Sequence, residues 1–118
     1  MDAQLSGTPS FECADLQIDR LQGRAWRGQR RLRLTPREFG VLLVLAENIG
    51  QVISRDQLYR DVWGADGEPT SNLVDATISH LRSKVDWGHR VRLIHTARGS
   101  GYVLEPQTDA HGPRLLHS

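Results

Sequence analysis

The sequence predicts one α+β domain: a small N-terminal antiparallel sheet, then three helices, then a C-terminal β-hairpin. Three observations carry this reading. Short runs of alternating apolar and polar residues, broken by glycines, fill residues 11–34. Capped helix starts stand at Thr35 and Ser54, and a third segment carries an apolar stripe up to Val85. Two extended runs then flank Ala97-Arg-Gly-Ser-Gly101. The length of 118 residues suits a single domain. A lone cysteine, Cys13, excludes a disulfide framework and a multi-cysteine zinc site, and suits a reducing cytoplasm. The longest apolar run, Val41 to Ala46, falls far short of the ~20 residues of a membrane span. Met1 to Leu5 has neither the basic start nor the apolar stretch of a signal peptide, so no membrane partner is expected.

Residues 1–10 read as a flexible lead, with Gly7 and Pro9 breaking any pattern. Leu16 and Ile18 alternate with Gln17 and Asp19, and Leu32 and Leu34 alternate with Arg31 and Arg33. Gly23 and Gly28 mark turns, giving three or four antiparallel strands. Thr35-Pro36-Arg37-Glu38 places an N-cap, a proline at the first helical position and a capping-box glutamate in register. That helix is expected to reach about Asn48, with Phe39, Leu42, Leu43, Ala46 and Ile49 on one face and Gly50 as its stop. Ser54 with Gln57 reads as a second capping box, opening a helix that ends at Trp63. Residues 64–71 are polar and acidic, hence a loop. Asn72 is expected to cap the third helix, whose apolar stripe is Val74, Ile78, Leu81 and Val85. Strands are expected at Val91–Thr96 and Tyr102–Leu104, and residues 106–118 read as a loose tail.

The total charge of +1 hides an uneven distribution. Residues 1–19 carry four acids and no base, whereas residues 20–37 carry seven arginines and no acid. Lys84 is the only lysine beside 14 arginines. Arginine grips phosphate or a guanine edge with two parallel hydrogen bonds, which an ammonium cannot do. A charge run is more often a solvated face, and the 20–37 block reads first as a solvated surface.

Helix, helix and hairpin in this order form the winged variant of helix-turn-helix, whose last helix enters the major groove while the hairpin wing touches backbone or minor groove. The side of the third helix opposite its stripe shows Asn72, Ala76, Ser79 and Ser83, with His80 at the edge, small enough to lie against base edges. Several stretches are similar to the C-terminal DNA-binding (effector) domain of OmpR/PhoB-type response regulators. They are Leu34-Thr-Pro-Arg-Glu-Phe39, Gly50-Gln-Val-Ile-Ser-Arg55, Val62-Trp-Gly64, Val74-Asp75, Leu81-Arg-Ser-Lys84 and Ile94-His-Thr-Ala-Arg-Gly-Ser-Gly-Tyr102. They cover about residues 11 to 105. The Asn72-Leu-Val-Asp75 start and Lys84-Val-Asp86 to Leu93-Ile-His-Thr96 look closest to the copper and heavy-metal response branch.

The resemblance implies a four-stranded N-terminal sheet, a winged helix over 11–105, and a 72–85 helix that reads the major groove. It implies binding to direct repeats of double-stranded DNA by head-to-tail pairs, with the isolated domain a monomer. Its loop would contact RNA polymerase, here through Asp66 and Glu68. Asn72, Ala76, Thr77, Ser79 and His80 are then the helix-borne DNA contacts, Ala76 and Thr77 being able to touch a thymine methyl. Arg98 sits at the wing tip. Thr96 and Tyr102 offer hydroxyls to phosphate, Tyr102 being equally suited to the core. Arg82 can reach phosphate, or pair with Asp75 or Asp86. Trp63 is either a core anchor or a phosphate donor through its indole N–H. Asp75 reads as structural, since an anion facing DNA costs affinity. Relatives commonly carry a long basic residue where Ser79 and His80 stand here. This leaves an alternative: a winged-helix protein-interaction module with an eroded DNA face, binding polymerase or an acidic partner. A receiver domain is not expected within this chain, since only about ten residues precede the first strand.

Enzyme chemistry is not expected. His80 and Asp75 lie five apart on a helix and do not face each other. No nucleophile elbow and no Gly-rich loop with lysine occur. The five histidines lack metal-ligand spacing, so neither metal nor other cofactor is expected.

Overall fold

The computed structural model describes residues 11–64 and 71–108. The expected lead at 1–10, Asp66 and Glu68 in the loop, and the tail beyond 108 lie outside the described residues. Four short strands, β1 (Phe11–Cys13), β2 (Leu16–Asp19), β3 (Arg24–Arg27) and β4 (Arg30–Leu32), form an antiparallel meander in the order β1-β2-β3-β4. Helices α1 (Pro36–Ala46), α2 (Arg55–Trp63) and α3 (Ser71–Val85) follow, and β5 (Val91–Ala97) pairs antiparallel with β6 (Gly101–Thr108). This is the expected α+β winged helix.

Local sequence explains most boundaries. Thr35 Oγ1 accepts from the Glu38 N–H, and the Glu38 carboxylate accepts from the Thr35 N–H, so the capping box is complete. Ser54 Oγ accepts from the Gln57 N–H at the start of α2, so only the Ser54 half of the second expected box is formed. Four further expectations are corrected. Helix α1 ends at Ala46 rather than Asn48, and Ile49 is 39% exposed instead of joining the apolar face, because the chain turns away toward Gly50. Leu34 packs half-buried on the core but lies beyond β4. Asn72 stands inside the first turn of α3 rather than capping it. Strand β6 runs to Thr108, four residues past the expected Leu104, because Val91 and Arg92 at the start of β5 pair with Thr108 and Gln107. The expected tail from 106 therefore begins as strand.

One core joins all layers. Leu16, Ile18 and Leu32 come from the sheet, Leu42 and Leu45 from α1, Leu58 from α2, the whole α3 stripe, and Leu93 and Leu104 from the hairpin. The hairpin is also held from the other side. Ile53 and Tyr102 exchange backbone hydrogen bonds at 2.8 and 2.9 Å, adding the α1–α2 link as a third, one-residue strand. This seat demands glycine at 101: a Cβ there would lie 2.1 Å from the Ile53 carbonyl oxygen, at a φ of +145°.

The arginine block is not all solvated. Arg27 is 2% exposed, whereas its six neighbours in the block are exposed. Arg27 and Arg30 donate to the last carbonyls of α3, at Val85 (2.7 Å) and Lys84 (3.1 Å). Two cations thus sit at the negative end of that helix.

Candidate nucleic-acid interface

Helix α3 buries Val74, Ile78, Leu81 and Val85 and exposes Asn72, Ala76, Ser79, His80 and Ser83. The 3.6-residue period puts these two sets on opposite sides. Thr77 lies half-buried at the border, its hydroxyl donating to the Leu73 carbonyl at 2.9 Å. Ser83 Oγ likewise donates to the His80 carbonyl at 2.7 Å. Leu73, 40% exposed, adds an apolar contact that the periodicity does not single out, since it falls outside the buried stripe.

Arg82 pairs with neither Asp75 nor Asp86. Its Nε donates to the Ile94 carbonyl at 3.2 Å and its Nη2 to Thr96 Oγ1, so α3 and β5 are laced together at the middle of the hairpin. Tyr102 is 4% exposed, and its hydroxyl donates to Asp75 rather than facing outward. Two guanidiniums lie over the Tyr102 ring, Arg55 at 5.5 Å and Arg82 at 5.6 Å from its centroid. Arg55 in turn pairs with Asp75 at 2.8 Å. Asp75 is thereby neutralised, as its structural reading requires. The bonds from Tyr102 and Arg55 hold its carboxyl below the usual carboxylate range. Burial, followed by the carboxylate beside it, pushes the Tyr102 phenol up.

Trp63 stacks on Tyr59 with ring centroids 5.7 Å apart, and Arg37 lies over it at 5.1 Å. It is half-buried against the core, so anchor and exposed edge coexist. Arg98 is exposed on the hairpin turn, where the Ser100 N–H donates to the Ala97 carbonyl. It has no partner among the described residues. Between α3 and β5 runs an open groove of about 730 Å³, bordered by Ser79, Arg82, Ser83, Trp87, Arg92 and Thr96. Trp87, 76% exposed, and Arg92 escape the sequence reading; neither belongs to a periodic pattern that a sequence could reveal. No cluster of three or more metal-ligating side chains occurs among the described residues. No helix among them is long and apolar enough to cross a membrane.

Residues 28–104 match the family described as "Transcriptional regulatory protein, C terminal". The chain is 40% identical over 91 residues to the response regulator MprA of Mycobacterium avium, covering 77% of this chain and 40% of that protein. It superposes on the response regulator DrrB of Thermotoga maritima, an OmpR/PhoB homolog, with a TM-score of 0.70 and 32% identity over 80% of this chain and 43% of that one. The chain belongs to the OmpR/PhoB-type transcriptional regulators, as a C-terminal DNA-binding domain. The family is one of transcription regulators, not of enzymes. The DNA-binding domain of Klebsiella pneumoniae RstA was crystallised in complex with the RstA box. It matches with a TM-score of 0.71 and 32% identity, covering 85% of this chain and 98% of that one. The chain spans about 40% of the length of the curated relatives it matches.

Three paired carboxylates lead to an expected acid sensitivity in the fold of this OmpR/PhoB-type domain. The Asp15 carboxyl is lowered by the bond from Arg27. Burial pushes Glu38 up, but bonds from Lys84 and the Thr35 N–H outweigh it and leave that carboxyl lowered. Asp75 is lowered as described above. A carboxyl lowered in the folded state adds stability above its unfolded pKa of about 4, and that stability disappears as pH falls through the folded value. Thermal melts followed by circular dichroism are expected to be insensitive to these groups from pH 8 to 6 and to shift down below about pH 5. Asp75→Asn is expected to flatten the acid limb. Melting points constant down to about pH 3 would mean that the three pairs do not persist in solution.

Proposed function

We propose that this domain reads specific sequences of double-stranded DNA, with α3 in the major groove and the β5–β6 hairpin over the adjacent minor groove, as the effector end of a two-component response regulator in the cytoplasm. The observation that carries this is the pairing of a small polar helix face, Asn72, Ala76, Ser79 and His80, with a hairpin tip that projects Arg98. An arginine held on a tight turn fits a narrow A·T-rich minor groove. Arg82 and Thr96 lie between these two elements, where a phosphate can replace the bond they make with each other. Trp63 adds an indole N–H and Tyr102 holds the frame through Asp75. Binding by a monomer is weak on this reading, because α3 exposes no arginine or lysine among positions 72, 76, 79, 80 and 83. Head-to-tail occupancy of a direct repeat supplies the missing affinity. Asp66 and Glu68 are assigned to contact with RNA polymerase, since acids beside the helix disfavour phosphate. The Asn72-Leu-Val-Asp75 start supports a place in the copper and heavy-metal response branch.

The test is fluorescence anisotropy on a fragment selected from genomic DNA, across salt. Arg98→Ala is expected to weaken binding by about 1–3 kcal/mol and to flatten the log K against log salt slope by about 0.9. Affinity unchanged within about twofold would exclude the hairpin from DNA contact. The second reading, a protein-interaction module, is favoured by the same uncharged helix face and by exposed Leu73. It predicts no salt-sensitive retention on any fragment, together with pull-down of polymerase subunits or an acidic protein.

A further inference from the structure

Arg27 ends β3, on the N-terminal sheet, yet its guanidinium reaches three other places in the chain. Its Nε donates to Asp15 Oδ1 at 2.7 Å, in the turn between β1 and β2. Its Nη1 donates to the carbonyl of Val85, the last residue of α3, at 2.7 Å. Its Nη2 donates to the carbonyl of Val91, the first residue of β5, at 2.6 Å. Asp86, buried and 3.2 Å from Nη1, closes the arrangement by accepting from the N–H groups of Leu93 and Ile94 at 3.0 and 3.1 Å. One planar fork therefore holds the end of the reading helix and the start of the hairpin at a fixed separation. A guanidinium does this where a flexible ammonium cannot, because its donors have fixed relative directions.

We propose that Arg27 is a positioning residue for DNA recognition: it sets the span between α3 and the β5–β6 hairpin, and so the spacing on the duplex at which the major-groove and minor-groove contacts fall. The inference rests on the DNA reading above. Two contacts borne on one rigid body reinforce each other only when their separation matches that of their sites. Five residues, Asp86 to Arg90, connect α3 to β5, and Gly88 among them adopts a φ of +81°. Such a link does not define an angle by itself. The Arg82 bonds to the Ile94 carbonyl and to Thr96 hold the middle and the turn end of β5, and the Arg27 fork fixes its root.

The experiment compares three DNA fragments carrying the same helix-read bases, with the hairpin-read tract at its selected spacing or moved by one base pair either way. The unmodified domain and Arg27→Lys are measured by anisotropy, each with and without Arg98→Ala, after circular dichroism has verified their folding. For the unmodified domain, moving the tract and removing Arg98 are each expected to cost about tenfold. In Arg27→Lys, the tract can be moved at a cost below about threefold, and Arg98→Ala costs less than about twofold. A role confined to stability would lower the competent fraction, weakening all fragments by one common factor and leaving these ratios intact; that result overturns the proposal. If Arg27→Lys does not fold, Asp86→Asn carries the same comparison, since it weakens the clamp from the other side and keeps the side-chain volume. If the unmodified domain is indifferent to both Arg98 and spacing, the DNA reading itself fails and the inference falls with it.

Discussion

Gly101→Ala is expected to lower the melting temperature by more than about 10 °C. The added Cβ would stand 2.1 Å from the Ile53 carbonyl oxygen, and the obstacle is backbone, which has no rotamer to yield. The φ of +145° strains any side chain independently of space. Strain of about 1–3 kcal/mol from the conformation and about 1–3 kcal/mol from overpacking together give about 2–6 kcal/mol. Each kcal/mol is worth about 4–8 °C in a domain of this size. Gly99→Ala is the control. Its φ is also positive, but a Cβ there meets nothing within 4 Å, so only the conformational part, about 1–2 kcal/mol, is lost. Equal losses for the two variants in thermal melts would show that the hairpin does not rest on Ile53 in solution.

Arg27→Met is expected to cost about 3–5 kcal/mol, enough to leave a marginal domain partly unfolded at 37 °C. Methionine fills a similar space, so cavity formation is minor. The loss comes from what it abandons: the Asp86 carboxylate, 8% exposed, without its cation, and the Val85 and Val91 carbonyls without their donors. Adding Asp86→Asn to Arg27→Met is expected to recover part of the loss, because an uncompensated buried charge costs more than a neutral amide. A urea titration of the two variants measures this. A double variant less stable than Arg27→Met alone would assign the cost to the backbone carbonyls rather than to the orphaned charge.

Elements set by neighbouring residues are legible in the sequence. The Thr35–Glu38 box, the Ser54 cap, the apolar stripe of α3 and the glycine-rich hairpin turn need only residues a few positions apart. The stripe also tells which side of α3 stays exposed. What is not legible depends on residues that meet across the chain. Arg27 looks like its six neighbours in sequence; only the pairing of β2 with β3 and the end of α3 above it make it a buried fork. The sequence offers Arg82 two acids, Asp75 and Asp86, besides phosphate, and it pairs with neither acid, because β5 brings the Ile94 carbonyl and Thr96 closer. Tyr102 is open between core and surface by its composition, and the Ile53 bridge settles it inward. The extension of β6 to Thr108 follows from its partner, Val91, and not from its own Glu-Pro-Gln composition.

The N-terminal meander ends on strands of three residues, β1 on one side and β4 on the other. A strand this short offers a neighbouring chain few free backbone groups, and β4 lines its rim with exposed Arg30 and Arg31. Two copies approaching edge to edge there would bring guanidiniums together. Sheet proteins that meet through long, free edges at high local concentration begin to stack into fibrils. The clipped, cationic rim disfavours that, so crowded copies of the domain resist growing into one another's sheets.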